Sequence, residues 1–172
     1  MQSKKHSVKM LKNMTLDITL GTGVFEPTGT STEIATAVHG YVDIPGKTLD
    51  LGCGSGVVGL ALAKSNKTDG ILFASDLSED AVHFLKINAK KHGIDVDARA
   101  GSVFESWTNE KFDLIVDDIS GVSERIADIS PWFNETACES GEDGTKLVIE
   151  AIQQAPKHHN KKRYNSTHIF LF

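Results

Sequence analysis

Proline is scarce in this chain, at 4 of 172 residues, and aromatic side chains make up only 7%. Set beside 15 glycines and 40% apolar residues, that composition is neither collagen-like nor that of a Pro/Gly-rich disordered segment. Cysteine is nearly absent too. Cys53 and Cys138 are too few and too far apart for a disulfide scaffold or a zinc site, so both are expected to be reduced. Long apolar runs are missing: nothing approaches the ~20 residues that span a bilayer. The opening Met1-Gln2-Ser3-Lys4-Lys5 lacks the apolar stretch of a signal peptide. No membrane partner and a cytoplasmic location are expected. A length near the ~150 residues of one typical domain points to a single domain over residues 15–172, preceded by a flexible basic tail over 1–14.

Acidic residues are lacking at both ends. The first twelve and the last sixteen residues carry four basic residues each and no acid, leaving 10 basic against 23 acidic residues between them. Such a middle repels nucleic acid, while Lys4, Lys5, Lys9, Lys12 and Lys161-Lys162-Arg163 are the residues able to touch phosphates. Solvated ends are the simpler reading.

Between the ends, strand and helix signals alternate. Residues 15–20 alternate in polarity as a short strand, and Ser31 or Thr32 can cap a helix carrying Ile34, Ala35 and Val38. Strands are expected over 47–51, 70–76, 96–100, 112–117 and 169–172, with helices over 56–65, 79–92, 123–128 and 145–155. That order predicts an α/β, Rossmann-like three-layer sandwich with a mainly parallel sheet covered on both faces.

The strongest local signal is Thr48-Leu49-Asp50-Leu51-Gly52-Cys53-Gly54-Ser55-Gly56-Val57-Val58-Gly59, a strand entering a glycine turn and then a helix. Glycines let the backbone turn tightly and let a ligand approach it, next to the free N–H groups of a helix start. Gly54, Gly56 and Gly59 satisfy G-x-G-x-x-G, and Asp76 falls about twenty residues on, where a ribose-binding carboxylate belongs. A nucleoside-containing ligand is expected. Asp50, two residues before Gly52, would set a carboxylate beside any pyrophosphate in the turn. Together with Glu26, Asp117 and Asp118 it would instead frame a cationic ligand such as S-adenosylmethionine. Asp50 can equally accept loop N–H groups, and Asp76 can cap the helix after Ser78.

The run Leu49–Gly56 resembles motif I of the class I S-adenosylmethionine-dependent methyltransferases, and Asp76-Leu77-Ser78 resembles their ribose-binding acidic step. The following helix, with Ala81, Leu85, Asn88 and Ala89, is similar as well. Val24-Phe25-Glu26-Pro27, the stretch to Thr32-Glu33, and Glu139-Ser140-Gly141-Glu142-Asp143-Gly144 resemble the HemK-like branch, which includes methyltransferases of ribosomal proteins. Two departures stand out. Asp118-Ile119-Ser120-Gly121 replaces that branch's Asn-Pro-Pro-Tyr, and Gly101-Ser102-Val103 replaces the Gly-Asp that holds adenine in many relatives. Residue chemistry and resemblance together imply cofactor binding by Glu26, Thr28, Asp50, Gly52, Gly54, Ser55, Gly56, Asp76, Leu77, Ser102, Val103 and Asp117. Catalytic roles fall to Asp118, Ile119 and Ser120, with S-adenosylhomocysteine as product and no metal.

Methyl transfer is an in-line displacement, so alignment and water exclusion supply most of the catalysis. A carboxylate at Asp118 suits a donor-rich or cationic acceptor better than the neutral amide served by Asn. Asp117 or Asp118 can act as general base if burial raises its pKa. Trp107, Trp132 and Phe133 are core, lid or substrate-entrance residues, and His158-His159 belongs to the basic tail. The expected acceptor is a protein nitrogen. The alternatives are a cofactor-binding remnant without turnover, a nicotinamide-dependent oxidoreductase, and a nucleic-acid methyltransferase using the basic termini. The resembled fold has seven strands and this chain lacks the last two, so a truncated product with an open sheet edge, able to pair with another chain, is expected.

Overall fold

A computed structural model describes residues 3–43, 45–119, 121–130, 133, 140–160 and, as backbone, 169–171. Its centre is a parallel sheet in the order β5-β4-β3-β6-β7, built from β3 (Gly46–Leu51), β4 (Thr68–Asp76), β5 (Val96–Ala100), β6 (Leu114–Asp117) and β7 (Ile169–Leu171). Period-two alternation sends Leu49, Leu51 and Ile115 into one apolar cluster and Leu72, Leu114 and Val116 into another on the opposite face. The first face is covered by α5 (Lys146–His158), whose Leu147, Ala151 and Ala155 recur every four residues. The other is covered by α1 (Gly29–Tyr41), α2 (Val57–Lys64) and α3 (Glu79–His92). A short α4 (Glu124–Ile129) follows β6.

The ends of α3 are written in its sequence. Ser78 accepts the Ala81 N–H at 3.3 Å, Glu79 and Asp80 occupy the first turn, Lys90, Lys91 and His92 the last, and Gly93 closes the helix at φ 66°.

Residues 3–14 are folded, not the expected tail. Ser3–Leu11 is β1, paired antiparallel with β2 (Met14–Gly21). Val8, Met10, Leu16, Ile18 and Leu20 are buried together with Ile34, Ala35 and Val38 of α1. Lysines at 4, 5, 9 and 12 raise the polarity of the segment, while Val8 and Met10 keep its packed positions apolar. Buried Asn88 of α3 fixes this hairpin to the glycine loop. Its side chain accepts the Thr19 N–H at 2.7 Å and donates to the carbonyls of Thr19, at 3.1 Å, and Ser55, at 3.0 Å.

A second correction concerns His158 and His159. Both are buried, not part of a solvated tail. His158 stacks on Phe104 with centroids 4.4 Å apart, and His159 bridges to Phe112 beside β6. Apolar partners far away in sequence outweigh the surrounding basic run. Trp107 is core, edge-on to Phe73 and Phe112. Trp132 and Cys138 lie outside the described residues.

From β3 the chain winds to β4 and β5 on one side, then returns to β6 on the other. The carboxyl ends of β3 and β6 therefore flank a topological switch point, where open α/β sheets present a crevice.

Candidate active site

A cavity of about 580 Å³ opens at that switch point, within the roughly 300–1,000 Å³ range of small-molecule sites. Adjacent strands lie ~4.8 Å apart, so three steps, from β5 to β6, span ~14 Å. One end of the cavity thus meets Ser102 and Val103 after β5 and Asp76 and Leu77 after β4; the other meets Asp118 and Ile119 after β6.

The glycine turn forms its floor. Gly52 and Cys53 donate to the Ser75 carbonyl at 2.9 and 3.0 Å, and Gly56 donates to the Cys53 carbonyl at 2.7 Å. Gly52 has φ 73°, and a Cβ there would lie 2.9 Å from the Ile119 backbone. Gly56, at φ 88°, would drive a Cβ to 2.7 Å from Leu85. Both positions therefore require glycine. Thr28, Gly52, Gly54 and Ser55 line the cavity, whereas Gly56 faces α3.

Asp76 closes β4 with both proposed roles in view. Its Oδ2 accepts the Gly54 N–H at 2.8 Å and its Oδ1 accepts the Ser78 N–H at 2.9 Å, while the residue still lines the cavity. A carboxylate has about four lone-pair positions, so each oxygen retains acceptor capacity. Burial raises its pKa, opposed by the N–H groups of Ser78, Gly54 and Leu77. At the β5 end, Ser102 accompanies Val103, a β-branched residue at φ 47°. That left-handed conformation is an outlier of the kind that collects at ligand-binding edges.

Three residues expected to frame the ligand stand elsewhere. Asp50 lies beneath the turn, 1% exposed, its Oδ2 accepting the Gly59 N–H at 2.9 Å. Asp117 is 3% exposed and accepts the Ile119 N–H at 2.9 Å. Neither lines the cavity, because the carboxylates serve backbone donors first. Glu26 points outward and pairs with Lys4 at 2.5 Å and His6 at 3.4 Å. Its partners belong to β1, the strand hidden within the expected tail. Ser120 lies outside the described residues.

Asp118 does face the cavity, and its Oδ2 accepts the Ser31 hydroxyl at 3.2 Å. Sequence reasoning missed Ser31 as a site residue, since the helix starts at Gly29 and no local pattern links positions 87 residues apart. Phe25 was missed as well; its ring lies 5.3 Å from that of Phe133. Ser140, also at the cavity, precedes a residue clasped to α4: Glu124 accepts the Gly141 N–H at 2.9 Å and donates its own N–H to the Gly141 carbonyl at 3.0 Å.

Burial pushes Asp50 up to about 7, against the hold of the Gly59 N–H and helped by the Asp118, Asp76 and Asp117 charges. It pushes Asp117 up to about 6, opposed by the Ile119 N–H and helped by Asp118. Asp118 also rises to about 6 by burial, with the Ser31 hydroxyl opposing. Raised folded-state values mean that these groups favour folding below the unfolded carboxylate pKa of ~3.9 and withdraw that contribution as pH climbs through about 6 and 7. The thermal midpoint of the ligand-free protein should therefore fall between pH 5 and pH 8. Asp50→Asn, which keeps an oxygen for Gly59, should flatten that fall in melts followed by circular dichroism. A midpoint that rises over this interval contradicts the assignment.

Residues 36–118 match the model of the methyltransferase small domain. The chain has the Rossmann-like fold of the class I methyltransferases, with just under half of its length inside that match. It is 32% identical over 123 residues to the ribosomal protein uL3 glutamine methyltransferase of Francisella tularensis, a match covering 68% of this chain and 39% of that protein. It is 30% identical over 177 aligned positions to the release factor glutamine methyltransferase of Clostridium acetobutylicum, covering 91% and 60%. Among solved structures, the T. thermophilus 16S rRNA methyltransferase in complex with AdoMet and guanosine superposes with a TM-score of 0.69 at 18% identity, covering 92% of this chain and 39% of the other. The chain spans between 39% and 60% of the length of these two curated relatives. Within this methyltransferase fold, five parallel strands and both helical layers are present among the described residues.

Proposed function

We propose that this chain binds S-adenosylmethionine in the switch-point cavity and transfers its methyl group to a nitrogen on a protein. The observation that carries the reading is charge. Asp76 and Asp118 line the cavity, and no Lys, Arg or His is among its described lining residues. Such a site favours a cation and disfavours a pyrophosphate. S-adenosylmethionine, when bound, supplies a methyl group on a positively charged sulfonium.

The donor set fits that group. Asp76 retains acceptor positions for a ribose diol, Leu77 and Val103 offer apolar surface to adenine, and Ser102 offers a polar edge. Glycines at 52 and 54 admit the rest of the molecule close to the main chain. Asp118 stands at the methyl-transfer end, where the side chain orients the acceptor and Ile119 helps to exclude water. The names of the two curated relatives, which act on a ribosomal protein and a release factor, support a protein acceptor.

Calorimetry with S-adenosylhomocysteine and, in parallel, NADH tests the cofactor. Binding of the first alone is expected; binding of NADH alone sinks the reading. Tritiated methyl transfer into fractionated lysate protein then tests turnover, and incorporation into RNA alone would move the acceptor to nucleic acid.

A further inference from the structure

We propose that the acceptor is a protonatable aliphatic amine, the side chain of a peptide lysine, held between the Asp118 carboxylate and the paired rings of Phe25 and Phe133. This rests on the methyl-transfer reading above and names the substrate class of the same site. Asp118 gives one oxygen to the Ser31 hydroxyl and keeps the rest of its acceptor capacity toward the cavity. An ionised carboxylate only accepts, which matches the three donors of an ammonium; an amide also needs a donor for its own carbonyl oxygen. Burial raises the Asp118 pKa to about 6 against the Ser31 hydroxyl, and an ammonium beside it would favour the ionised form.

The rings supply the second half of the cradle. Phe25 and Phe133 line the cavity with centroids 5.3 Å apart and planes at 49°. Aromatic faces attract a desolvated cation, and their apolar surface covers the methylene stem that carries it. The third observation concerns the alternative acceptor. With no basic side chain among the described lining residues, a nucleic acid would bring its phosphates to uncompensated carboxylates. A lysine brings the missing positive charge itself.

The transfer balances as follows. The lysine ammonium releases one proton, past Asp118, to solvent. Its nitrogen lone pair then forms the new C–N bond as the methyl–sulfur bond breaks, and the breaking bond's electron pair stays on sulfur. The product methylammonium is again a cation beside Asp118.

The test uses the full chain, tritiated S-adenosylmethionine and two N-acetylated peptide libraries with central lysine or central glutamine and no other Lys or Gln. Wild-type protein should label the lysine library at least roughly tenfold over the glutamine library, and Asp118→Asn should cut lysine labelling by about tenfold or more and lower the lysine-to-glutamine ratio. The double substitution Phe25→Leu with Phe133→Leu keeps apolar bulk and should raise KM for the lysine library roughly three- to thirtyfold. Glutamine labelled as well as lysine by wild type, or a ratio unmoved by Asp118→Asn, overturns the proposal. So do an unmoved KM in the double variant and label in neither library from protein that binds S-adenosylhomocysteine. Protein that does not bind S-adenosylhomocysteine fails at the underlying reading, and the proposal falls with it.

Discussion

Asp76→Ala should weaken S-adenosylhomocysteine binding by roughly 1–3 kcal/mol, the usual cost of removing hydrogen bonds to a charged partner. Two losses add at this position. The variant takes away the acceptors offered to a ribose diol, and it also releases the N–H groups of Gly54 and Ser78 that the carboxylate now holds at 2.8 and 2.9 Å. Asp76→Asn separates them, since its amide oxygen keeps one backbone partner while the negative charge is lost; its affinity should fall between those of wild type and alanine. Titration calorimetry reads both. Affinity unchanged in Asp76→Ala would leave the carboxylate with a purely structural role as the link between glycine turn and α3.

A large effect on stability is expected from Gly59→Ala. A Cβ at this position of α2 would sit 2.6 Å from Asp50 Oδ2 and 2.9 and 3.0 Å from the two methyl carbons of Leu72. Leu72 is fully buried in β4 and Asp50 nearly so in β3, so α2 must either lift off the sheet or distort its neighbours. Overpacking of this kind costs ~1–3 kcal/mol, which for a chain of this length lowers the melting midpoint by roughly 2–12 °C. The displaced carboxylate would also lose the Gly59 N–H that opposes its upward pKa shift. A thermal melt at pH 7 matching that of wild type would mean that helix and sheet have more room than their geometry indicates.

The same three glycines show what the sequence could and could not convey. Spacing at Gly54, Gly56 and Gly59 announced a turn between strand and helix, and that is where they stand; their individual tasks differ, one facing the cavity, one facing Leu85, one packing against Asp50. Elements with a clear period and caps, such as Glu79–His92, were legible to the residue. The hairpin strand Ser3–Leu11 was not, because lysines on both of its faces mask a two-residue period that only packing against α1 makes visible. Asp76 and Asp118 could be singled out from strand ends alone. Their partners could not: Ser31 reaches Asp118 across 87 positions, and Glu26 turns away only because β1 supplies Lys4. Strand-end position alone makes the carboxylates at 50 and 117 look ligand-facing, but backbone donors nearby claim them first.

Asn88 gives this arrangement one more property. A single buried amide joins Thr19 of the hairpin to Ser55 of the glycine turn, so restraint applied to one is transmitted to the other through two or three hydrogen bonds. Amide protons of the N-terminal ribbon around Thr19 should accordingly exchange with deuterated solvent more slowly once the distant crevice is filled, making that ribbon a remote reporter of occupancy.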